Sequence, residues 1–186
     1  MPLIRETIVT TADRAGRNHV APLGLIADGN DWIIAPFRPS TTLDNLMQVP
    51  FATASHTDDV RIFAGLLTGR TVWPMVAAEG VPVPRLADAI SHAELAVSEV
   101  TDDPERPRLR CRLVRLVSHK PFQGFNRAQA AVLEAAILVS RLHLLPREKI
   151  ERELAHLRIA VDKTAGPREM EAWSWLAEKV RRHFGS

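Results

Sequence analysis

A chain of 186 residues has room for one well-buried core with an appended subdomain, but not for two large domains. Its hydrophobic share of 46% and charged share of 25% are those of an ordinary folded protein, and 24 Lys and Arg against 22 Asp and Glu leave a net charge of +2, too small for a general nucleic-acid binder. The one cysteine, Cys111, excludes an internal disulfide and a cysteine-based metal site and fits a reducing compartment, so the cytoplasm is the expected location.

The N-terminus, Met-Pro-Leu-Ile-Arg-Glu, has no basic segment followed by an apolar run, so a signal peptide is not expected. Glu6 to Ala12 is rich in β-branched residues, and Asp13 to Asn18 supplies turn residues that fold it back as a hairpin. His19 to Ala27 is the return strand. Within it Ala21-Pro22-Leu23-Gly24 combines small residues with a proline, which either lets something flat approach the backbone or marks an edge or bulge. Asp28-Gly29-Asn30-Asp31 signals a second hairpin, and Trp32 to Ala35 is the third strand.

The chain then changes character. Pro36 and Pro39 bracket Arg38 and end strand pairing, and Ser40, Thr41 and Thr42 follow at the start of a helix that ends near Val49. A guanidinium, three hydroxyls and the unpaired amides of a helix N-terminus would suit a phosphate monoester. Equally, Ser40 or Thr41 caps the helix and Arg38 is a solvated charge.

Phe51 to Ser55 reads as a fourth strand, and Thr57-Asp58-Asp59 caps a helix with Val60, Phe63, Ala64 and Leu67 on one face. Trp73 to Leu86 is apolar yet carries Pro74, Pro82 and Pro84, so it needs a cover: a ligand pocket, another subunit or its own domain. Ala93 to Val100 is the fifth strand. In the sixth, Arg108, Arg110 and Arg112 alternate with Leu109, Cys111 and Leu113, which predicts the solvated face of an edge strand, or else an anion groove. The phase slips at Val114 and predicts a bulge near Leu113 and Val114.

Beyond Ser118 the period becomes helical, placing a boundary near residue 120. Asn126 with Gln129 resembles a capping box for a helix ending before Pro146. A second helix follows with Ile150, Leu154, Leu157 and Val161 as its stripe, and a third begins at Gly166-Pro167 with Met170, Trp173, Ala177 and Val180. The expected organisation is α+β: an antiparallel six-stranded split β-barrel over residues 1–120, and a three-helix subdomain over 121–186 packed on it. The most apolar stretch, Ala128 to Leu145, contains Glu134 and Arg141, which favours a buried helix over a membrane span.

Few groups carry obvious chemistry. The seven histidines show no three- or four-residue spacing, so a metal site is not expected, and Cys111 lies on the apolar phase of its strand. No Gly-x-Ser-x-Gly, P-loop or Gly-x-Gly-x-x-Gly sequence occurs. Glu148, Glu151 and Glu153 share a helix face with Lys149 and Arg152 and read as a solvated surface. A second group of donors, Ser118, His119, Lys120, Asn126 and Arg127, gathers where the strands give way to helices.

Five segments, Glu6 to Thr11, Ala21 to Gly24, Pro36 to Leu46, Thr57 to Val60 and Gly124 to Ala128, together resemble the FMN-binding split-barrel superfamily of flavin reductases and pyridoxamine-phosphate oxidases. Within it the chain is most similar to a family of uncharacterised microbial proteins, domain of unknown function 447, that pair the barrel with a helical tail. The resemblance implies FMN as cofactor and a homodimer with the flavin in a groove between subunits. It implies that Arg38, Ser40, Thr41 and Thr42 hold the phosphate, with Asn45 orienting the turn. The backbone of Ala21, Pro22, Leu23 and Gly24 would meet the isoalloxazine edge, and Lys120, Asn126 or Arg127 would place positive charge near N1 and the C2 carbonyl. The basic phosphate ligands of pyridoxamine-phosphate oxidases are fewer here, which speaks against that substrate.

The expected activity is that of a flavin-dependent oxidoreductase acting on a small molecule, with NAD(P)H as a possible partner and no part for nucleic acid or membrane. The alternatives are a non-catalytic flavin carrier, linked by the resemblance to pterin-dependent one-carbon metabolism, and a structural interaction module.

Overall fold

The computed structural model describes residues 2–185. The chain divides into two compact units, one made of 1–57 with 73–122, the other of 58–72 with 123–186. The segment 58–72, which the expected boundary near 120 left among the strands, therefore groups with the C-terminal helices.

The first unit is a closed antiparallel barrel in the order β1-β2-β3-β8-β7-β4, six strands as expected. Its members are β1 (Ile4–Ala12), β2 (Asn18–Asp28), β3 (Asp31–Ile34), β4 (Phe51–His56), β7 (Ser91–Thr101) and β8 (Arg108–Ser118). Tight turns at Gly16 and Gly29, both at positive φ, join the first three and set their register. Val9, Leu25, Ile34, Leu95, Leu109 and Cys111 fill the interior, and Leu43 and Leu46 of helix α1 (Thr41–Gln48) pack against them. Burial pushes the Cys111 thiol up to about 12, so it is an inert core residue, as its phase predicts.

From Thr7 to Thr11 nothing of β1 faces solvent. The cover on its outer face is the Pro-rich segment, which contains a small hairpin of β5 (Met75–Val76) and β6 (Arg85–Leu86). Val81 and Val83 pack on Ala12, the Thr53 hydroxyl donates to the Pro84 carbonyl (2.7 Å), and the Leu86 amide donates to Ser55 Oγ (3.2 Å). Of the three covers that the sequence leaves open, this apolar loop takes its own barrel.

Two expectations for β8 come apart. The bulge is present: Glu94 pairs with Arg115 and Leu95 with Leu113, so Val114 is looped out of register. The arginines are on the solvated face, but β8 pairs with both β3 and β7 and is not an edge. Arg110 instead meets Asp28 and Asp31 at 3.3 Å each.

The second unit contains α2 (Val60–Leu67), α3 (Arg127–Ser140), α4 (Arg147–Thr164) and α5 (Pro167–Phe184). Asp59 caps α2 by accepting from the Arg61 amide, and the Arg61 guanidinium closes on the same carboxylate at 2.6 Å. Asn126 Oδ1 caps α3, accepting from the amides of Ala128 (2.7 Å) and Gln129 (3.3 Å). Gln129 does not complete the expected box; its side chain donates to Glu169 Oε1 (3.1 Å), while Glu169 Oε2 accepts from the Gly166 amide and boxes α5. Met170 was expected on the buried stripe of α5 but is 40% exposed; Ala172, Trp173, Leu176 and Val180 form it. Among the described residues no helix is long and apolar enough to cross a membrane.

Candidate functional site

The corner where β3 yields to α1 is built from local rules. Ala35 and Pro36 end the strand, a cis Arg38–Pro39 bond turns the chain, and Ser40 caps α1, its Oγ accepting from the Leu43 amide at 3.3 Å. Arg38, Ser40, Thr41, Thr42 and Asn45 all gather here. They do not all face outward. Thr41 and Arg38 are exposed and Ser40 is half-buried, whereas Thr42 and Asn45 are buried. Asn45 Nδ2 donates to Thr11 Oγ1 (3.0 Å), fastening α1 to the end of β1, so the role left to it is positioning.

Arg38 has partners of its own. Its Nη2 reaches Asp102 Oδ1 at 2.7 Å, its Nε donates to the Asp103 carbonyl, and its backbone amide donates to Glu105 O. Both charged side chains are well exposed, so this pair is weak and open to competition from an anion. A cleft of about 290 Å3 beside it is lined by Leu43, Met47 and Val100, but also by Asp44 and Asp102. That acidic side disfavours a phosphate, whereas the free N-terminal amides of α1 with Ser40, Thr41 and Arg38 suit one.

Ala21 to Gly24 do not weaken the ladder: they pair in continuous register with Glu6 to Val9, and Thr7 Oγ1 donates to the Leu23 carbonyl (3.0 Å). The space over Gly24 is taken by the chain itself, since a Cβ there would lie 2.8 Å from Ile4 Cγ2 and 3.2 Å from Glu6 Oε1. Both are the far ends of flexible side chains, so a flat ring would have to turn them aside. Lys120 is paired with Asp88. Asn126 and Arg127 belong to the second unit, where Asn126 is spent on capping α3 and on the Thr164 carbonyl, and Arg127 is exposed in the first turn.

Histidine spacing along helices missed one constellation, because strand pairing assembles it. Glu94 and His92 are both buried on β7, and His92 Nε2 lies 3.1 Å from Glu94 Oε1. His92 Nδ1 is 2.9 Å from Nε2 of His119, which is exposed just beyond the end of β8. The carboxylate also accepts from the Glu79 amide (3.2 Å) and the Gly80 amide (2.7 Å). Gly80 is required there, since a Cβ would sit 2.3 Å from Glu94 Oε2. Burial opposes the charge on Glu94, but the His92 and amide hydrogen bonds outweigh it and hold the carboxyl below its usual range. The alternation Ser91-His92-Ala93-Glu94 could have flagged two polar residues on one strand face; nothing local pointed to His119. Among the described residues no three His, Cys, Asp or Glu side chains converge as a metal site.

A larger cleft, about 620 Å3, lies in the second unit against Arg70, Trp175, Lys179 and Arg182, with the Arg70 guanidinium 4.2 Å from the Trp175 ring centroid. No sequence signal marked it.

The fold is that of the FMN-binding split barrels. The structure is similar to that of the FMN-bound protein MM1853 from Methanosarcina mazei, with a TM-score of 0.82 at 21% identity over 96% of each chain. It is also similar to the 2-nitrobenzoate 2-nitroreductase NbaA of Pseudomonas fluorescens (TM-score 0.54, 17% identity, 64% of this chain and 66% of that one). A third likeness is to the styrene monooxygenase flavin reductase of Pseudomonas putida S12 (TM-score 0.53, 11% identity, 62% of this chain and 81% of that one). The chain belongs to the family described as protein of unknown function (DUF447): the model of its N-terminal domain matches residues 5–120 and that of its C-terminal part residues 126–178.

Proposed function

We propose that this protein binds FMN at the β3–α1 corner and acts as a flavin-dependent oxidoreductase of the flavin-reductase kind. The observation that carries this is that the exposed Arg38 and Thr41, the half-buried Ser40 and the N-terminus of α1 follow one another in a single short turn of a barrel, and a similar structure, from Methanosarcina mazei, is FMN-bound. Arg38, Ser40 and Thr41 would hold the phosphate. Asn45 works from beneath, tying α1 to Thr11, and the buried Thr42 faces inward beside it.

When bound, FMN supplies hydride transfer, and the chain's part is to bind, orient and shelter it. Lys120 is the barrel residue proposed to lie near the side of the flavin that gains negative charge on reduction. We also infer a homodimer with the flavin groove between subunits. Leu3, Ile4 and Leu116 of the barrel unit are each about half exposed or more and give such an interface apolar area. A reducing, NAD(P)H-containing cytoplasm suits this reading.

Titrating the protein with FMN while following flavin fluorescence tests the assignment. Arg38→Ala combined with Thr41→Ala is expected to weaken binding at least tenfold, about 1.4 kcal/mol. Unchanged affinity would remove the phosphate assignment, and a protein that never takes up FMN would remove the flavin reading.

A further inference from the structure

Helix α2 ends in a tight turn that carries a cation onto α5. The amides of Thr68 and Arg70 both donate to the Gly65 carbonyl (3.0 and 2.8 Å), and Gly69 between them sits at φ 91°, where a side chain is strained. Arg70 leaves that turn with its guanidinium 4.2 Å from the Trp175 ring centroid and its Nη1 donating to Thr68 Oγ1 (2.9 Å). Thr68 Oγ1 in turn donates to the Ala64 carbonyl (2.8 Å), so the hydroxyl that holds Arg70 is itself held by α2.

On α5, Trp175, Glu178, Lys179 and Arg182 recur at i, i+3, i+4 and i+7 and so run along one side of the helix. Lys179 gives one of its three N–H donors to the carbonyl of Leu67, the last residue of α2, and Arg182 Nη2 reaches Glu178 Oε1 at 2.5 Å. These side chains line the cleft of about 620 Å3, where three cations face one carboxylate. A cleft of about 430 Å3 between α3 and α4 instead sets Arg152 and His156 against Glu134 and Glu153. The positive excess is therefore local to the α2–α5 cleft and not a general property of the helical unit.

A concave wall of one charge sign focuses its potential on a ligand of the other. The volume is that of a small-molecule site, which runs from roughly 300 to 1,000 Å3, so a compact anion suits it better than a polyanion surface. Arg70 adds a shape requirement. A guanidinium is flat on both sides; stacked by one side on an indole, it can take a second flat ring on the other. Arg182 lies seven residues beyond Trp175, about 10 Å along the helix axis, so the stacking end and the charged end of the cleft are separate.

We propose that this cleft binds a nucleoside phosphate, with the base stacked on Arg70 and the phosphate held by Lys179 and Arg182. The ligand joins the two features that the lining separates, a flat ring and an anionic group. Glu178 competes with the phosphate for Arg182. The site belongs to the helical unit and stands apart from the flavin reading, which concerns the barrel.

Isothermal titration calorimetry of the full chain at physiological salt tests this, with AMP, ribose 5-phosphate, adenosine and inorganic phosphate as probes. AMP is expected to bind most tightly, ahead of ribose 5-phosphate by about threefold or more and of adenosine by about tenfold or more. Arg70→Lys keeps the charge and loses the plane, and should remove the lead of AMP over ribose 5-phosphate. Arg182→Ala should weaken both phosphates by a similar factor, about threefold or more. Glu178→Gln removes the competing carboxylate and should tighten AMP binding about twofold or more, a gain that misfolding cannot produce. The proposal is overturned by an absence of AMP binding in the millimolar range, by inorganic phosphate binding as well as AMP, or by folded Arg182→Ala and Glu178→Gln proteins that both keep the wild-type affinity. Loss of AMP binding in the Arg38→Ala, Thr41→Ala protein would also overturn it, since the nucleotide would then sit at the barrel corner. If that protein loses FMN and keeps AMP, both assignments stand; if it keeps both, the phosphate assignment at the corner alone falls. Should a variant fail to fold, the wild-type ranking of the four probes decides.

Discussion

The residues that matter most in this barrel are polar ones placed where apolar ones are expected. Thr10 is fully buried and its hydroxyl has no hydrogen-bond partner, so it bears desolvation without return. Thr10→Val keeps the shape and removes the orphan, and is expected to raise stability by about 1 kcal/mol, seen as a higher urea midpoint at unchanged slope. Glu94 is the opposite case, a buried carboxylate with its acceptors satisfied. Glu94→Gln leaves it poorly matched to its three donors and is expected to cost about 2 kcal/mol near pH 7. Because its folded carboxyl lies below the ordinary value of 4.5, the stability it contributes is present above that value and is lost as pH falls through the folded one. The difference between wild type and Glu94→Gln in denaturant titrations should therefore shrink on acidification below about pH 4.5; a constant difference would mean that the carboxylate charge is not what stabilises.

At the scale of elements, the caps organise the helices. Glu169 is 7% exposed and serves two of them, boxing α5 through the Gly166 amide and accepting from Gln129 on α3. Glu169→Ala leaves both donors unpaired, and a loss of about 2 kcal/mol is expected in thermal or denaturant unfolding. Glu169→Gln, which can still accept at Gly166, should lose less. The loop Trp73 to Leu86 illustrates the converse. Three prolines keep it from pairing at length, yet its valines, the Pro84 carbonyl and the Leu86 amide tie it to β1 and β4, and the Gly80 amide ties it to Glu94. It is an element by its contacts rather than by its backbone.

On the scale of the whole chain, the helical unit is assembled from two separate pieces of sequence. Helix α2 buries Ile62, Phe63 and Ala64 among helices that lie more than sixty residues further on. A cut after Phe122 would leave that face without its partners, so a 1–122 fragment is expected to aggregate or to bind a hydrophobic dye, while the full chain stays monodisperse. A soluble, dye-negative fragment would show that α2 does not depend on α3 and α5.

The strands, the α1 cap at Ser40, the bulge at Val114 and the inert Cys111 could be read from the sequence because each is decided by near neighbours: alternation, turn residues, a hydroxyl before a helix, a slip in phase. The corner around Arg38 was legible for the same reason, though not that Thr42 and Asn45 turn inward, which depends on what α1 packs against. The closure that stops β8 from being an edge, the grouping of α2 with distant helices and the meeting of Glu94, His92 and His119 were decided only in three dimensions. Local pattern specifies which face of an element is apolar; which face of another element it meets is settled by packing and strand registry, across separations where sequence carries no spacing to read.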